Sequence, residues 1–150
     1  WHVGRALWRR WPLMLYAIYL FMAAGYALMG CAIILDGNYF SAGRHLTALG
    51  AMGLAIHAVL CIAGRQHCGY PLDERSWVPI GAWLIGLGAL ARAATVLPGA
   101  PTGFLFGLAG LAWGGAFVSY LWHMAPLLLG PRPDGGSGCE GVISAGDVAN

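Results

Sequence analysis

The amino-acid sequence predicts an all-α, polytopic membrane protein with four transmembrane helices and both termini in the cytoplasm. Only 9% of its 150 residues are charged, whereas soluble domains carry about 25%. Hydrophobic residues make up 59% of the chain, and the mean hydropathy is +0.66. They concentrate in four apolar runs, each reaching the roughly 20 residues that a helix needs to cross a bilayer. The formal net charge of +2 is too small and too dispersed to indicate a nucleic-acid partner.

The first two predicted spans cover residues 12–35 and 41–64. Pro12 suits the first turn of a helix, because an N–H group has no intrahelical partner there. The sequence Asp36-Gly37-Asn38 ends the first apolar run, and Ser41 is a suitable N-cap for the second helix.

The other two predicted spans cover residues 76–97 and 101–130. Ser76 is a suitable N-cap for the third helix, and Pro98-Gly99 ends it. The fourth run is long enough to tilt in the bilayer or to end in an interfacial turn near Pro126. Residues 1–130 therefore form the predicted transmembrane domain. Residues 131–150 are rich in Gly, Pro, Ser and acidic residues, which predicts a disordered cytoplasmic tail.

The placement of arginine predicts the orientation of these helices. The chain has no lysine, and the side that holds the termini and the central loop has six arginines, namely Arg5, Arg9, Arg10, Arg65, Arg75 and Arg132. The opposite side has only Arg44. The positive-inside rule places the arginine-rich side in the cytoplasm.

Two ionisable residues, His45 and Arg92, are predicted at similar depth in the outer half of the membrane. Ionisable groups at membrane depth are costly, and they commonly mark a site. Arg92 needs a carboxylate, backbone carbonyls or an acid group of a ligand, unless it reaches outward to the lipid headgroups. Both interpretations of Arg92 remain open.

His57 follows His45 by twelve residues on the second span. At about 100° per residue of α-helix, the two side chains lie about 120° apart and do not face one cleft. This separation counts against a b-type cytochrome with two histidine ligands on one helix face. We predict that His57 makes an interhelical hydrogen bond.

Two further histidines lie toward the cytoplasmic side. His67 neighbours Cys68, and such a pair has the donor types of a soft metal site, although adjacent residues rarely chelate one ion well. His123 and Met124 form either a copper or haem ligand set or ordinary packing. All acidic residues lie outside the predicted spans, so a proton relay through intramembrane carboxylates is excluded.

Five short motifs occur in a characteristic order: LWRRWPL at 7–13, HLTALGAMG at 45–53, HCGYPL at 67–72, APL at 125–127 and PRPDG at 131–135. This order resembles the C-terminal third of the NnrS family, polytopic bacterial membrane proteins reported to hold haem and copper. The family is associated with denitrification and with resistance to nitric oxide. The resemblance implies that the four spans belong to a larger helical bundle in the bacterial inner membrane.

The resemblance also implies roles for three residues. His45 falls on the first histidine of a family motif and would be a haem or copper ligand. Arg92 falls on a family arginine and would be an electrostatic partner of the cofactor on the outer side. His67 falls on the histidine of the family's loop motif and would mark a second metal or haem-associated site on the inner side.

The chain departs from the family pattern around the loop histidine. The family's glycine, threonine and arginine are replaced by Gln66, Cys68 and Tyr70, and a further family arginine is replaced by Ile62. If those arginines bind an anionic group, that function is either lost here or moved to Arg65.

The function expected from the resemblance is that of a haem- and copper-containing membrane protein linked to nitric oxide metabolism or resistance to nitrosative stress. Its expected partners are the lipid bilayer and the remaining transmembrane helices of a longer chain. Two alternatives stay open, a non-catalytic membrane scaffold and a small b-type haem electron carrier. Whether the protein is an enzyme is left open.

Overall fold

The computed structural model describes residues 9–133 and residue 135. Within these residues all the regular secondary structure is helical. Four helices have the length and composition to cross a membrane: α1 (Arg10–Ile34), α2 (Phe40–His67), α3 (Trp77–Ala94) and α4 (Thr102–Leu129). The predicted all-α class with four membrane spans is thereby confirmed. The predicted tail, residues 131–150, lies almost wholly outside the described residues.

The observed helix ends can be compared with three details of the sequence prediction. α2 begins at Phe40, so Ser41 lies inside the helix and is not its N-cap. Ser76 does occupy the N-cap position of α3, but its side chain makes no capping hydrogen bond. α4 continues through Pro126 to Leu129 without an interfacial turn.

The four helices run alternately up and down, which gives the bundle two distinct ends. One end, here called the short-turn end, holds the α1–α2 turn (residues 35–39) and the α3–α4 turn (residues 95–101). Gly99 in the second turn has φ +74°, a left-handed conformation that glycine adopts without steric cost. The other end, here called the long-loop end, holds the α2–α3 loop (residues 68–76).

Helices α1 and α2 cross at two glycines that leave no room for side chains. A Cβ at Gly25 of α1 would lie 2.8 Å from the Gly43 carbonyl oxygen, and one at Gly43 would lie 2.9 Å from Met29 N. Real Cβ atoms do not approach that closely, so the two backbones are in direct contact, as small residues permit in membrane helices.

Helix α2 is not a regular α-helix along its whole length. Residues Leu46–Met52 form a π-helix between the α-helical segments Phe40–His45 and Gly53–His67. A π turn closes through i→i+5 hydrogen bonds and so holds about one residue more than an α turn. Side chains beyond this π segment therefore point in directions that a regular helix would not give them.

Helices α3 and α4 form a closely packed hairpin that covers one side of α2. A Cβ at Gly88 would lie 3.1 Å from the Ala109 carbonyl oxygen. Leu54, Ile85 and Ala116 form the buried core in the middle of the bundle. Toward the long-loop end a second core consists of Met14, Ala58, Cys61, Trp77, Val78, Tyr120 and Met124.

A buried carboxylate fixes the α2–α3 loop. Asp73, with 2% of its surface exposed, accepts hydrogen bonds from Arg65 Nη1 (3.1 Å), Arg75 Nη2 (2.6 Å) and Trp77 Nε1 (3.0 Å). The hydrogen bonds from Arg75 hold the pKa of this carboxyl well below its usual range, with help from Trp77 and Arg65. Asp73 therefore joins the end of α2 to the start of α3.

Candidate functional site

The candidate site lies near the short-turn end, where His45 ends the first α-helical segment of α2 and the π segment begins. The His45 side chain is partly buried, and its Nε2 atom is buried without a hydrogen-bond partner among the described residues. An unpaired buried polar atom costs about 1–3 kcal/mol. His45 Nε2 is therefore a polar atom whose partner the described residues do not supply.

Arg92 lies in the last turn of α3 and faces the same region. Arg92 Nη1 donates to Thr95 Oγ1 at 3.0 Å, and its guanidinium carbon lies 4.4 Å from the centre of the Phe106 ring. The structure places His45 near the start of α2 and Arg92 in the last turn of α3, so both residues lie toward the short-turn end.

Arg92 has no acidic partner in the part of the chain that the structure describes. The only hydrogen bond of its guanidinium there is the one to Thr95 Oγ1. No described carboxylate lies within ion-pair distance of the guanidinium. A guanidinium carries five N–H donors, so most of its donor capacity is left for another group. A carboxylate of a ligand has the charge and geometry to use it.

His57 has the role that its sequence context predicted. It is fully buried, and its Nε2–H donates to the Val78 carbonyl oxygen of α3 at 3.1 Å. The imidazole fills the space beside Gly81, where a Cβ would lie 2.7 Å from its Cε1 atom. His57 thus connects α2 to α3.

The angular separation of His45 and His57 that the sequence predicts assumes a regular α-helix, which α2 is not between Leu46 and Met52. The prediction assumed a regular α-helix, but the π segment accommodates about one extra residue. One residue corresponds to about 100°, which reduces a separation of about 120° to about 20°.

His67 lies at the other end of α2, and its side chain is exposed. Its carbonyl oxygen accepts a hydrogen bond from Arg132 Nη1 at 3.4 Å. The neighbouring Cys68 is buried, so the adjacent side chains lie in different environments. Within residues 9–133 and 135, no three His, Cys, Asp or Glu side chains lie close enough to hold a metal ion.

Arg65 is committed to the structure of the α2–α3 loop. Its Nε donates to the Pro71 carbonyl oxygen at 2.7 Å, its Nη1 donates to Asp73, and its guanidinium lies 5.4 Å from the Tyr70 ring centre. These contacts leave it poorly placed to take over the binding of an anion from the missing family arginines.

His123 and Met124 have packing roles. The His123 ring stacks on Trp77 at 4.8 Å and 3°, and its Nδ1–H donates to the Ser119 carbonyl oxygen at 2.8 Å. Met124 is fully buried in the core. The two side chains therefore do not form a ligand set.

Sequence reasoning missed two features that position these side chains. The π segment has no residue pattern that distinguishes it from an apolar α-helix. The buried Asp73 had a weak signal, since it is an acidic residue placed between Arg65 and Arg75. Its burial depends on how α2 and α3 are joined.

The comparison with known proteins gave one match. A family model described as NnrS protein matches residues 1–132. No curated protein and no solved structure matches the chain.

Proposed function

The chain belongs to the NnrS family, whose model covers residues 1–132 of its 150, and from this premise we propose that it takes part in binding haem through His45. It is a multi-pass membrane protein with four spans. We propose the bacterial inner membrane as its location. The proposed role is in nitric oxide metabolism or resistance to nitrosative stress.

The observation that supports this proposal is the unpartnered His45 Nε2 at the same end of the bundle as Arg92, an arginine without a carboxylate partner among the described residues. Haem offers a complement to both groups, because its iron accepts an imidazole nitrogen and its propionates accept guanidinium hydrogen bonds. When bound, haem would supply redox chemistry and the binding of small diatomic ligands.

The protein's own contribution is to hold these two groups in a medium of low dielectric constant. His45 would hold the haem through an imidazole nitrogen, and Arg92 would neutralise an acid group that is otherwise costly at membrane depth. We propose that the short-turn end faces the outer side of the membrane, as the arginine distribution predicts. The remaining wall of the site would then come from further helices of a longer chain.

The described residues do not fit a closed copper site at His67. That side chain is exposed, and no second and third ligand accompany it. Copper stays part of the proposal through family membership, with His67 as one ligand and the others from outside the described residues. We derive no chemical step from it.

A membrane scaffold without a cofactor is the second candidate function. The histidines His57 and His123 favour it, because both make hydrogen bonds to carbonyl oxygens and need no ligand. The b-type electron carrier loses support, since the Nε2 atom of His57 is already occupied by the Val78 carbonyl oxygen.

The test is the absorption spectrum of the full-length protein, purified from cells supplied with iron and a haem precursor. We expect a Soret band that His45→Gly abolishes and that added imidazole restores. His57→Gln is the matched control, because it changes a histidine of the same helix and keeps a donor for Val78. A colourless wild-type protein would favour the scaffold. A band that survives in H45G would refute His45 as the haem ligand.

A further inference from the structure

The π segment begins at the residue after His45 and ends at Met52. π turns are rare, and they frequently occur at functional sites. In this chain the π segment is held in place by a hydrogen bond within α2 and by contacts with α1. These contacts indicate what the segment does.

Hydrogen bonds within α2 mark the start of the π segment. The Leu46 N–H is shared between the carbonyl oxygens of Ala42 and Gly43. Thr47 Oγ1 donates a further hydrogen bond to the Gly43 carbonyl oxygen at 3.1 Å. A side-chain donor at this position gives the backbone carbonyl a partner where the helical pattern changes.

Helix α1 presses against the same residues. A Cβ at Gly25 would collide with the Thr47 hydroxyl oxygen and would lie 3.1 Å from Thr47 N. One turn further along, a Cβ at Gly50 would lie 2.8 Å from Cγ of Phe21. The π segment is therefore fixed against α1 at both its beginning and its end.

We propose that the π segment positions His45, and that Thr47 is a positioning residue which maintains the segment through its hydrogen bond to Gly43. The segment sets the direction of His45 relative to the later part of α2, where His57 contacts α3. This inference rests on the proposed function of His45 only for its consequence, haem ligation. The geometry that it describes exists without the cofactor.

The test therefore has one measurement that needs no haem. The native cysteines of the full-length protein are first replaced, and His45→Cys and Arg92→Cys are then introduced together. A short bifunctional thiol reagent cross-links the two introduced thiols in membranes. We expect Thr47→Val to lower the cross-linking yield about fivefold, the factor that loss of one hydrogen bond of about 1 kcal/mol produces. Thr47→Ser, which keeps the hydroxyl, should restore the yield.

Deletion of Ala48, an exposed residue of the π segment, is the stronger perturbation. Removing one residue allows a regular α-helix and rotates position 45 by about 100° relative to the later part of α2. We expect the cross-link to be lost. Ala48→Ser is the matched control, because it alters the same position without changing the residue count.

The second measurement is the electron paramagnetic resonance spectrum of ferric haem in variants that retain His45. T47V should shift the signals that report axial-ligand orientation, and T47S should not. The positioning role would be refuted if T47V and the Ala48 deletion both gave the same cross-linking yield as the protein without these changes. A colourless wild-type protein would refute only the proposed function, since the cross-linking result would stand.

Discussion

Replacing Asp73 with asparagine should destabilise the bundle strongly, although Asp73 lies in a loop and far from the candidate site. Asp73 is 2% exposed and pairs with Arg65, which is 12% exposed, and with Arg75, which is 56% exposed. Removing one partner of a buried ion pair costs about 3–5 kcal/mol, and the exposed pair contributes at most about 1 kcal/mol. An asparagine oxygen keeps part of the hydrogen bonding. We therefore expect a loss of about 3 kcal/mol in the free energy of unfolding.

The assay is reversible unfolding in mixed micelles with increasing denaturing detergent. Glu74→Gln is the matched control, because Glu74 is the next residue and is 74% exposed, and its nearest ion-pair atoms with Arg10 are 3.5 Å apart. We expect the control to change the free energy of unfolding by less than about 1 kcal/mol. A loss for D73N no larger than that for E74Q would refute the conclusion that Asp73 joins the two helices.

The same carboxylate predicts the direction of a pH dependence. Its pKa in the folded protein is lowered by the hydrogen bonds from Arg75, so the unfolded state binds a proton first as the pH falls. The contribution of Asp73 is therefore fully present above its unfolded-state pKa of about 3.9 and is lost progressively below it. The stability difference between wild type and D73N should be constant near neutral pH and should shrink in acid. A difference that grows as the pH falls below 4 would contradict this assignment.

Two further predictions concern residues of α3. Gly81→Ala places a Cβ 2.7 Å from the His57 ring, so we expect the free energy of unfolding to fall by about 1–3 kcal/mol from overpacking. Gly107→Ala is the control, because a Cβ there would meet nothing within 4 Å. It should be neutral or slightly stabilising in the same unfolding assay. Arg92→Gln should accelerate the transfer of haem to an excess of apomyoglobin about tenfold or more, as expected for one charge-assisted hydrogen bond of about 1.5–3 kcal/mol, while Arg44→Gln at the exposed neighbouring cation should have a smaller effect. Equal haem release rates in R92Q and wild type would exclude a propionate contact.

Much of the fold followed from composition and spacing alone. Four runs of apolar residues with few charges leave a chain no alternative to helices in a bilayer, because a helix satisfies every backbone group within itself. Turn residues such as Asp36 and Gly99 then indicate where each run ends. The ends were less accurate, as Ser41 shows: α2 begins one residue before it, and no side chain caps the helix there.

The candidate site was predictable in its residue types but not in its geometry. His45 and Arg92 are conspicuous because ionisable residues are costly at membrane depth, and their similar depth follows from the helical rise. Their availability could not be predicted. It depends on which polar atoms find partners, and only the packed structure shows that His57 has one and that Nε2 of His45 has none.

The sequence by itself determined that this chain is a four-helix membrane protein with histidine and arginine near one end of its spans. These properties depend on hydropathy and on local helical geometry, which each segment carries independently of its neighbours. The tertiary structure alone decided the direction in which the histidines point. The contacts of Gly25 and Phe21 with the π segment come from another helix, and a one-residue change in helical register is small in local energy but turns every later side chain by about 100°.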